Sequence, residues 1–127
     1  MRVYYEDTDS GGVVYYANYL KFMERARTEM LRECDLDIAQ LHEKQDIIFA
    51  VSEANIRYHL PAKLNDLLEV QTQLIRMRGA RLFFSQSVWR DQHCLVSGSI
   101  VIACINHQGK PQRIPAFVQT AIKALKE

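Results

Sequence analysis

Two carboxylates, Asp7 and Asp9, stand two residues apart in Tyr4-Tyr5-Glu6-Asp7-Thr8-Asp9-Ser10-Gly11-Gly12-Val13-Val14-Tyr15-Tyr16-Ala17-Asn18-Tyr19. Val3, Tyr4 and Tyr5 favour an extended backbone, whereas the acid and hydroxyl side chains and two glycines of 7–12 suit a turn. A helical pattern begins directly afterwards, so Asp9 lies just ahead of a helix N-terminus. Such an end presents unpaired backbone N–H groups and a positive dipole. It can hold a substrate oxygen that is gaining negative charge while a nearby carboxylate attacks or takes a proton, which is a plan for acyl transfer. The same residue types also serve as plain turn and cap residues, and on the pattern alone that is the commoner reading.

The helix that must carry this end reads from Asn18 to Leu31 and stops near Cys34. Tyr19, Met23, Ala26 and Met30 fall on one face, with Lys21, Arg25, Thr28 and Arg32 elsewhere. Asp37 is a candidate N-cap for a short helix through Ile38, Leu41 and His42. Residues 45–60 are extended, with a slip in alternation near Ser52-Glu53 that predicts a bulge. Pro61 and Asn65-Asp66 mark a loop in which His59 is expected to face solvent. Residues 67–77, 82–89 and 95–106 read as three strands joined by short turns, an antiparallel meander. In 67–77, Leu68, Val70, Thr72, Leu74 and Arg76 are expected on one face. Pro115 opens a last helix with Phe117, Val118, Ala121, Ile122 and Leu125 at helical spacing. With Val3–Tyr5 as a first strand, the expected fold is α+β: a five-stranded antiparallel sheet wrapped around a long helix. Its edges and second face predict a homodimer with a continued sheet, or a dimer of dimers.

The 127 residues allow one domain, 1–127, and 48% of them are hydrophobic, which excludes disorder. A net charge of +1 gives no global attraction to nucleic acid or anionic lipid. No apolar run approaches the ~20 residues of a membrane span, and no signal-peptide pattern is present, so a cytoplasmic protein is expected. Cys34, Cys94 and Cys104 show neither disulfide nor zinc spacing and are expected to be reduced, Cys94 the most accessible. No metal-ligand spacing occurs.

Tyr4-Tyr5-Glu6-Asp7-Thr8-Asp9, Gly12-Val13-Val14-Tyr15, Asn18-Tyr19 and Glu24-Arg25-Ala26-Arg27-Thr28-Glu29 resemble the signature of the hotdog-fold acyl-CoA thioesterases, in particular the YbgC-like branch related to 4-hydroxybenzoyl-CoA thioesterase. The likeness extends over nearly the whole chain, including Arg76-Met77-Arg78-Gly79 and Ile114-Pro115. It implies hydrolysis of an acyl-CoA to free acid and CoA, with Asp9 as the catalytic carboxylate, either nucleophile or general base. The backbone N–H of Tyr16 is implied as oxyanion donor, and Gly12 and Val13 as substrate contacts. Many YbgC-like relatives carry His where this chain has Tyr16; the 4-hydroxybenzoyl-CoA branch has Tyr. No cofactor or metal is implied, since coenzyme A belongs to the substrate; an acyl carrier protein is an alternative acyl donor.

Arg76, Arg78 and Arg81, with Arg57 and Lys63 in neighbouring segments, are candidates for the CoA phosphates, against the commoner reading of a solvated charged face. The resemblance favours the phosphates. Asp7 reads as structural, and Glu24 and Arg25 as a solvated or interface pair. A dehydratase of the same fold would need a His in the first motif or long helix, where there is none. A non-catalytic acyl-CoA or acyl-carrier-protein binding module is the rival reading.

Overall fold

A computed structural model describes residues 1–126, with the backbone alone for residues 125 and 126, so the side chain of Leu125 lies outside the description. The elements are α1 (Asn18–Glu33), α2 (Ile38–Gln45), β1 (Ile48–Tyr58), β2 (Glu69–Arg78), β3 (Arg81–Arg90), β4 (His93–Ile105) and α3 (Ala116–Lys126). The strands form one antiparallel sheet in the order β1-β4-β3-β2.

This sheet has four strands, one fewer than expected. The N-terminal segment pairs with the chain ahead of β2 through the Arg2–Leu67 bridge, flanked by Val3 N–H to Asp66 O (2.9 Å) and Asn65 N–H to Val3 O (3.0 Å). It goes no further because Asp7 Oδ2 accepts from the Tyr4 N–H at 3.0 Å and folds Tyr5–Asp7 into a turn of 3₁₀ helix. A local side-chain bond has displaced ladder bonds there.

One side of α1 packs on the inner sheet face. Its buried residues are Tyr19, Phe22, Met23, Arg27 and Leu31, so the apolar stripe is wider than Tyr19, Met23, Ala26 and Met30 and includes a cation. Opposite it lie Leu74, Leu82, Phe84, Val88, Val96, Ile100 and Ile102. Among the described residues, Arg27 and Gln86 are the buried polar side chains. Gln86 Nε2 donates to Met23 O (3.0 Å) and Thr72 Oγ1 (2.9 Å), tying helix to sheet.

The register slips between Val51 and Glu53, at the expected bulge. A second slip, between Leu74 and Arg76, leaves Ile75 without a partner. It moves Arg76 off the face of Leu74 and to the outer face, where its guanidinium lies 4.2 Å from the Phe83 ring centroid. Gly98 of β4 permits close approach of β1: a Cβ there would fall 2.5 Å from Ile56 Cδ1 and 2.9 Å from Asn55 O. Val118 and Ile122 of α3 are buried, while Phe117 is exposed. The three cysteines are free; Cys104 is buried and Cys34 and Cys94 are half-buried.

Candidate active site

The turn ahead of α1 is a small hairpin. Thr8 bridges Val14, Asp9 N–H donates to Val13 O at 2.9 Å, and Gly12 N–H donates to Asp9 O at 3.1 Å. Gly12 takes φ +80°, which favours glycine. The hairpin is anchored to the 61–66 loop by Val14 N–H to Ala62 O (2.8 Å) and a Val13–Lys63 bridge. Within it, Asp9 is exposed and its Oδ1 accepts from the Gly11 N–H at 2.8 Å, which orients the carboxylate and leaves Oδ2 free. Asp7 is occupied structurally: its carbonyl accepts from the Tyr15 N–H (3.0 Å) and Asn18 Nδ2 (2.9 Å).

At the helix start, Asn18 N–H donates to Tyr15 O at 2.9 Å and Tyr19 N–H to Tyr16 O at 3.3 Å. The N-cap residue is Ala17, which has no capping side chain. The N–H groups of Tyr16 and Ala17 meet no acceptor among the described residues. They are unpaired donors at the positive end of a 16-residue helix.

Beside these donors lies an open cavity of about 250 Å³, walled by Tyr16, Tyr19, Tyr58 and His59 and closed by Val14 and Pro61. Tyr16 as a whole is 60% exposed. The Tyr16 and Tyr58 rings meet edge to face at 6.1 Å between centroids, and Tyr19 and Tyr58 lie 5.8 Å apart. Tyr58 Oη donates to Tyr16 O at 3.4 Å, and the buried Tyr19 Oη accepts from the Ala62 N–H at 3.0 Å. Burial raises the pKa of the Tyr19 and Tyr58 phenols, so both stay neutral at physiological pH. Burial would also raise Asp66, but Arg90 at 2.8 Å and the Lys63 N–H at 2.8 Å more than offset it and hold its carboxyl below the ordinary value. That pair braces the loop on which the Asp9 hairpin leans.

Asp9, Gly12 and Val13 lie in the hairpin and Tyr16 follows at the helix start; of these four, Tyr16 is the one that lines the cavity. Tyr58 and the cavity wall are what the sequence reading missed, since nothing in local pattern places the end of β1 beside the start of α1. His59 is exposed, as expected, and also borders this open cavity, with its Nε2 bonded to Ser97 Oγ at 2.9 Å. Arg76, Arg78 and Arg81 lie elsewhere. They flank the β2–β3 turn, at the far end of the ten-residue β2, a distance of about 30 Å at the usual strand rise. Arg57 pairs with Ser97 on the outer face of β1 and β4, apart from that turn.

A carboxylate on a hydrogen-bonded turn, unpaired N–H donors at a helix start and a cavity lined by Tyr16 are parts an acyl-transfer site needs. The sequence profile of the thioesterase superfamily matches residues 11–97, from the second half of the hairpin into the first part of β4. The acyl-CoA thioesterase YbgC of Haemophilus influenzae is 43% identical over 127 residues, covering 99% of this chain and 93% of that protein. The chain is a hotdog-fold acyl-CoA thioesterase. The acyl-CoA thioester hydrolase YbgC of Escherichia coli is 39% identical over 125 residues, covering 97% of this chain and 92% of that one. Among solved structures, a probable thioesterase from Bartonella henselae superposes with a TM-score of 0.87 at 39% identity, covering 91% of this chain and 95% of the other. No helix among the described residues is long and apolar enough to cross a membrane.

Proposed function

We propose that this thioesterase hydrolyses an acyl-CoA with Asp9 as the reacting carboxylate and the Tyr16 N–H as oxyanion donor. The observation that carries this reading is the unpaired Tyr16 N–H at an uncapped helix start, beside a cavity and close in the chain to a carboxylate with one free oxygen. In one route Asp9 attacks the thioester carbonyl, the tetrahedral oxyanion is held by the helix-start N–H, and CoA thiolate leaves to give a mixed anhydride. Water then cleaves the anhydride at the Asp9 carbonyl. In the other, Asp9 takes a proton from water as that water attacks the thioester directly.

The substrate's phosphates are assigned to Arg76, Arg78 and Arg81, with Arg57 nearer the site. Because that turn is far from Asp9 in its own chain, it serves the site of a second copy in a homodimer joined through the edge strand β1. Val51, 55% exposed on that edge, supports such pairing. A dimer of dimers would use the outer sheet face. An acyl carrier protein would present the same thioester, and its assay would use acylated carrier in place of acyl-CoA.

Asp9→Ala is expected to lower kcat on acyl-CoA by about 10²–10⁴ while leaving thioester binding in place. A free-thiol assay over a panel of acyl-CoAs checks this; wild-type protein that binds every thioester in the panel but releases no thiol would favour the binding-module reading. A single turnover in oxygen-18 water separates the two routes, since attack by Asp9 leaves the first acid product unlabelled.

A further inference from the structure

Two peptide units meet at the start of α1, and each carries one of the unpaired donors. The Tyr16 N–H shares its peptide with the Tyr15 carbonyl, which accepts from the Asn18 N–H at 2.9 Å. The Ala17 N–H shares its peptide with the Tyr16 carbonyl, which accepts from the Tyr19 N–H at a longer 3.3 Å. These overlapping turns, with Ala17 at φ −68° and ψ −21°, set the two N–H groups toward the same end of the helix. The Tyr16 carbonyl has a second donor, and it comes from the sheet: Tyr58 Oη at 3.4 Å. Among the described residues this is the hydrogen bond that ties Tyr16 to a strand.

Tyr58 is held firmly enough for that task. It is the last residue of β1 and pairs with Val96 of β4. Just beyond it, the His59 and Leu60 N–H groups both donate to Leu95 O, at 2.7 and 3.1 Å. Its ring stands edge to face against Tyr16 and packs on the buried Tyr19. Burial first, then the neighbouring Tyr16, push the Tyr58 phenol above its ordinary pKa, so the hydroxyl keeps the proton that it donates. The helix supplies no substitute, since its N-cap residue is alanine. None of these contacts needs Tyr58 to face solvent.

We propose that Tyr58 is a positioning residue for the thioesterase reaction: its hydroxyl fixes and polarises the Tyr16–Ala17 peptide, so that the Ala17 N–H joins the Tyr16 N–H as a second oxyanion donor. A hydrogen bond to the carbonyl of a peptide draws electron density from its nitrogen and strengthens the N–H at the other end. Placement matters as much, because a donor contributes only when it meets the oxygen of the tetrahedral state at about 2.7–3.1 Å. Tyr58 itself touches no reacting atom. The inference rests on the proposed oxyanion site at the helix start, to which it adds a second donor and the side chain that holds it.

Steady-state kinetics of the full chain on the acyl-CoA that it turns over fastest, read by thiol release, test this. Tyr58→Phe keeps the ring and loses the hydroxyl; kcat falls about 3- to 10-fold, the worth of one neutral hydrogen bond, and KM is unchanged. Ala17→Pro removes the second donor at a position whose φ already suits proline. Its kcat falls by about 10²–10³. Because Tyr58 works through the Ala17 N–H, adding Tyr58→Phe to Ala17→Pro causes no further loss. A merely structural Tyr58 would give losses that multiply, or a raised KM with kcat intact, and either overturns the proposal; so does an Ala17→Pro protein with the wild-type kcat. If Ala17→Pro does not fold, infrared difference spectra decide. With the same acyl-CoA carrying carbon-13 at its carbonyl and bound to Asp9→Ala, adding Tyr58→Phe moves the carbonyl stretch back toward its value in free solution; an unmoved band overturns the proposal. Asp9→Ala protein that turns over at the wild-type rate would sink the role of Asp9 alone, since the losses in Tyr58→Phe and Ala17→Pro do not depend on which group attacks.

Discussion

Asp66 and Asp9 are both carboxylates on turns, and their partners give them different work. Asp66 is enclosed by Arg90 and the Lys63 N–H, whereas Asp9 spends one oxygen on the Gly11 N–H and keeps the other. The folded pKa of Asp66 is lowered, so its contribution to stability is present above the unfolded value of about 3.9 and is lost as pH falls through the folded pKa. Asp66→Asn is expected to cost about 1 kcal/mol near neutral pH, the upper end for a partly exposed pair. Urea melts at stepped pH should show the two proteins converging below about pH 4; a gap that persisted in acid would mean that packing, not charge, is what the substitution removes. These partners are fixed by tertiary contacts: Arg90 is 24 residues away in the chain, and no local pattern announces it.

The elements differ in how much of their geometry is local. The apolar stripe of α1 was legible from a 3.6-residue period, and the β1 bulge from broken alternation. The slip at Ile75 was not, because the 67–77 segment alternates without a break and the irregularity arises only in pairing with β3. The consequence is that Arg76 lies outside, over Phe83, instead of beside Leu74. Gly98 is likewise silent in sequence and decisive in the sheet. Gly98→Ala should destabilise by about 1–3 kcal/mol, the cost of overpacking, since Asn55 O is backbone and cannot swing away. Thermal denaturation measures this, and an unchanged melting temperature would show that β1 shifts freely against β4.

At the scale of the whole molecule, the wide separation of the basic turn from Asp9 makes a prediction about assembly. Arg78→Ala with Arg81→Ala should raise KM for acyl-CoA severalfold more than KM for a pantetheine thioester, which lacks the nucleotide phosphates. Co-refolding that double variant with Asp9→Ala should restore low-KM turnover in the hybrid, because one of its two sites then has both an intact Asp9 and an intact partner turn. Mixtures no better than the sum of their parts would place the turn in the service of its own chain, or of neither.

The sequence by itself determined the order and kind of nearly every element, the Asp9 turn and the helix start behind it, because periodicity, glycine and capping chemistry act between residues a few positions apart. The tertiary structure decided that the N-terminal strand stops at one bridge, that Tyr58 and His59 border the cavity beside Tyr16, that the arginines of the β2–β3 turn stand far from Asp9, and that Arg27 is buried. Those outcomes depend on strand register and on which distant surfaces meet, and such pairings are set by the packing of the whole chain rather than by any stretch within it.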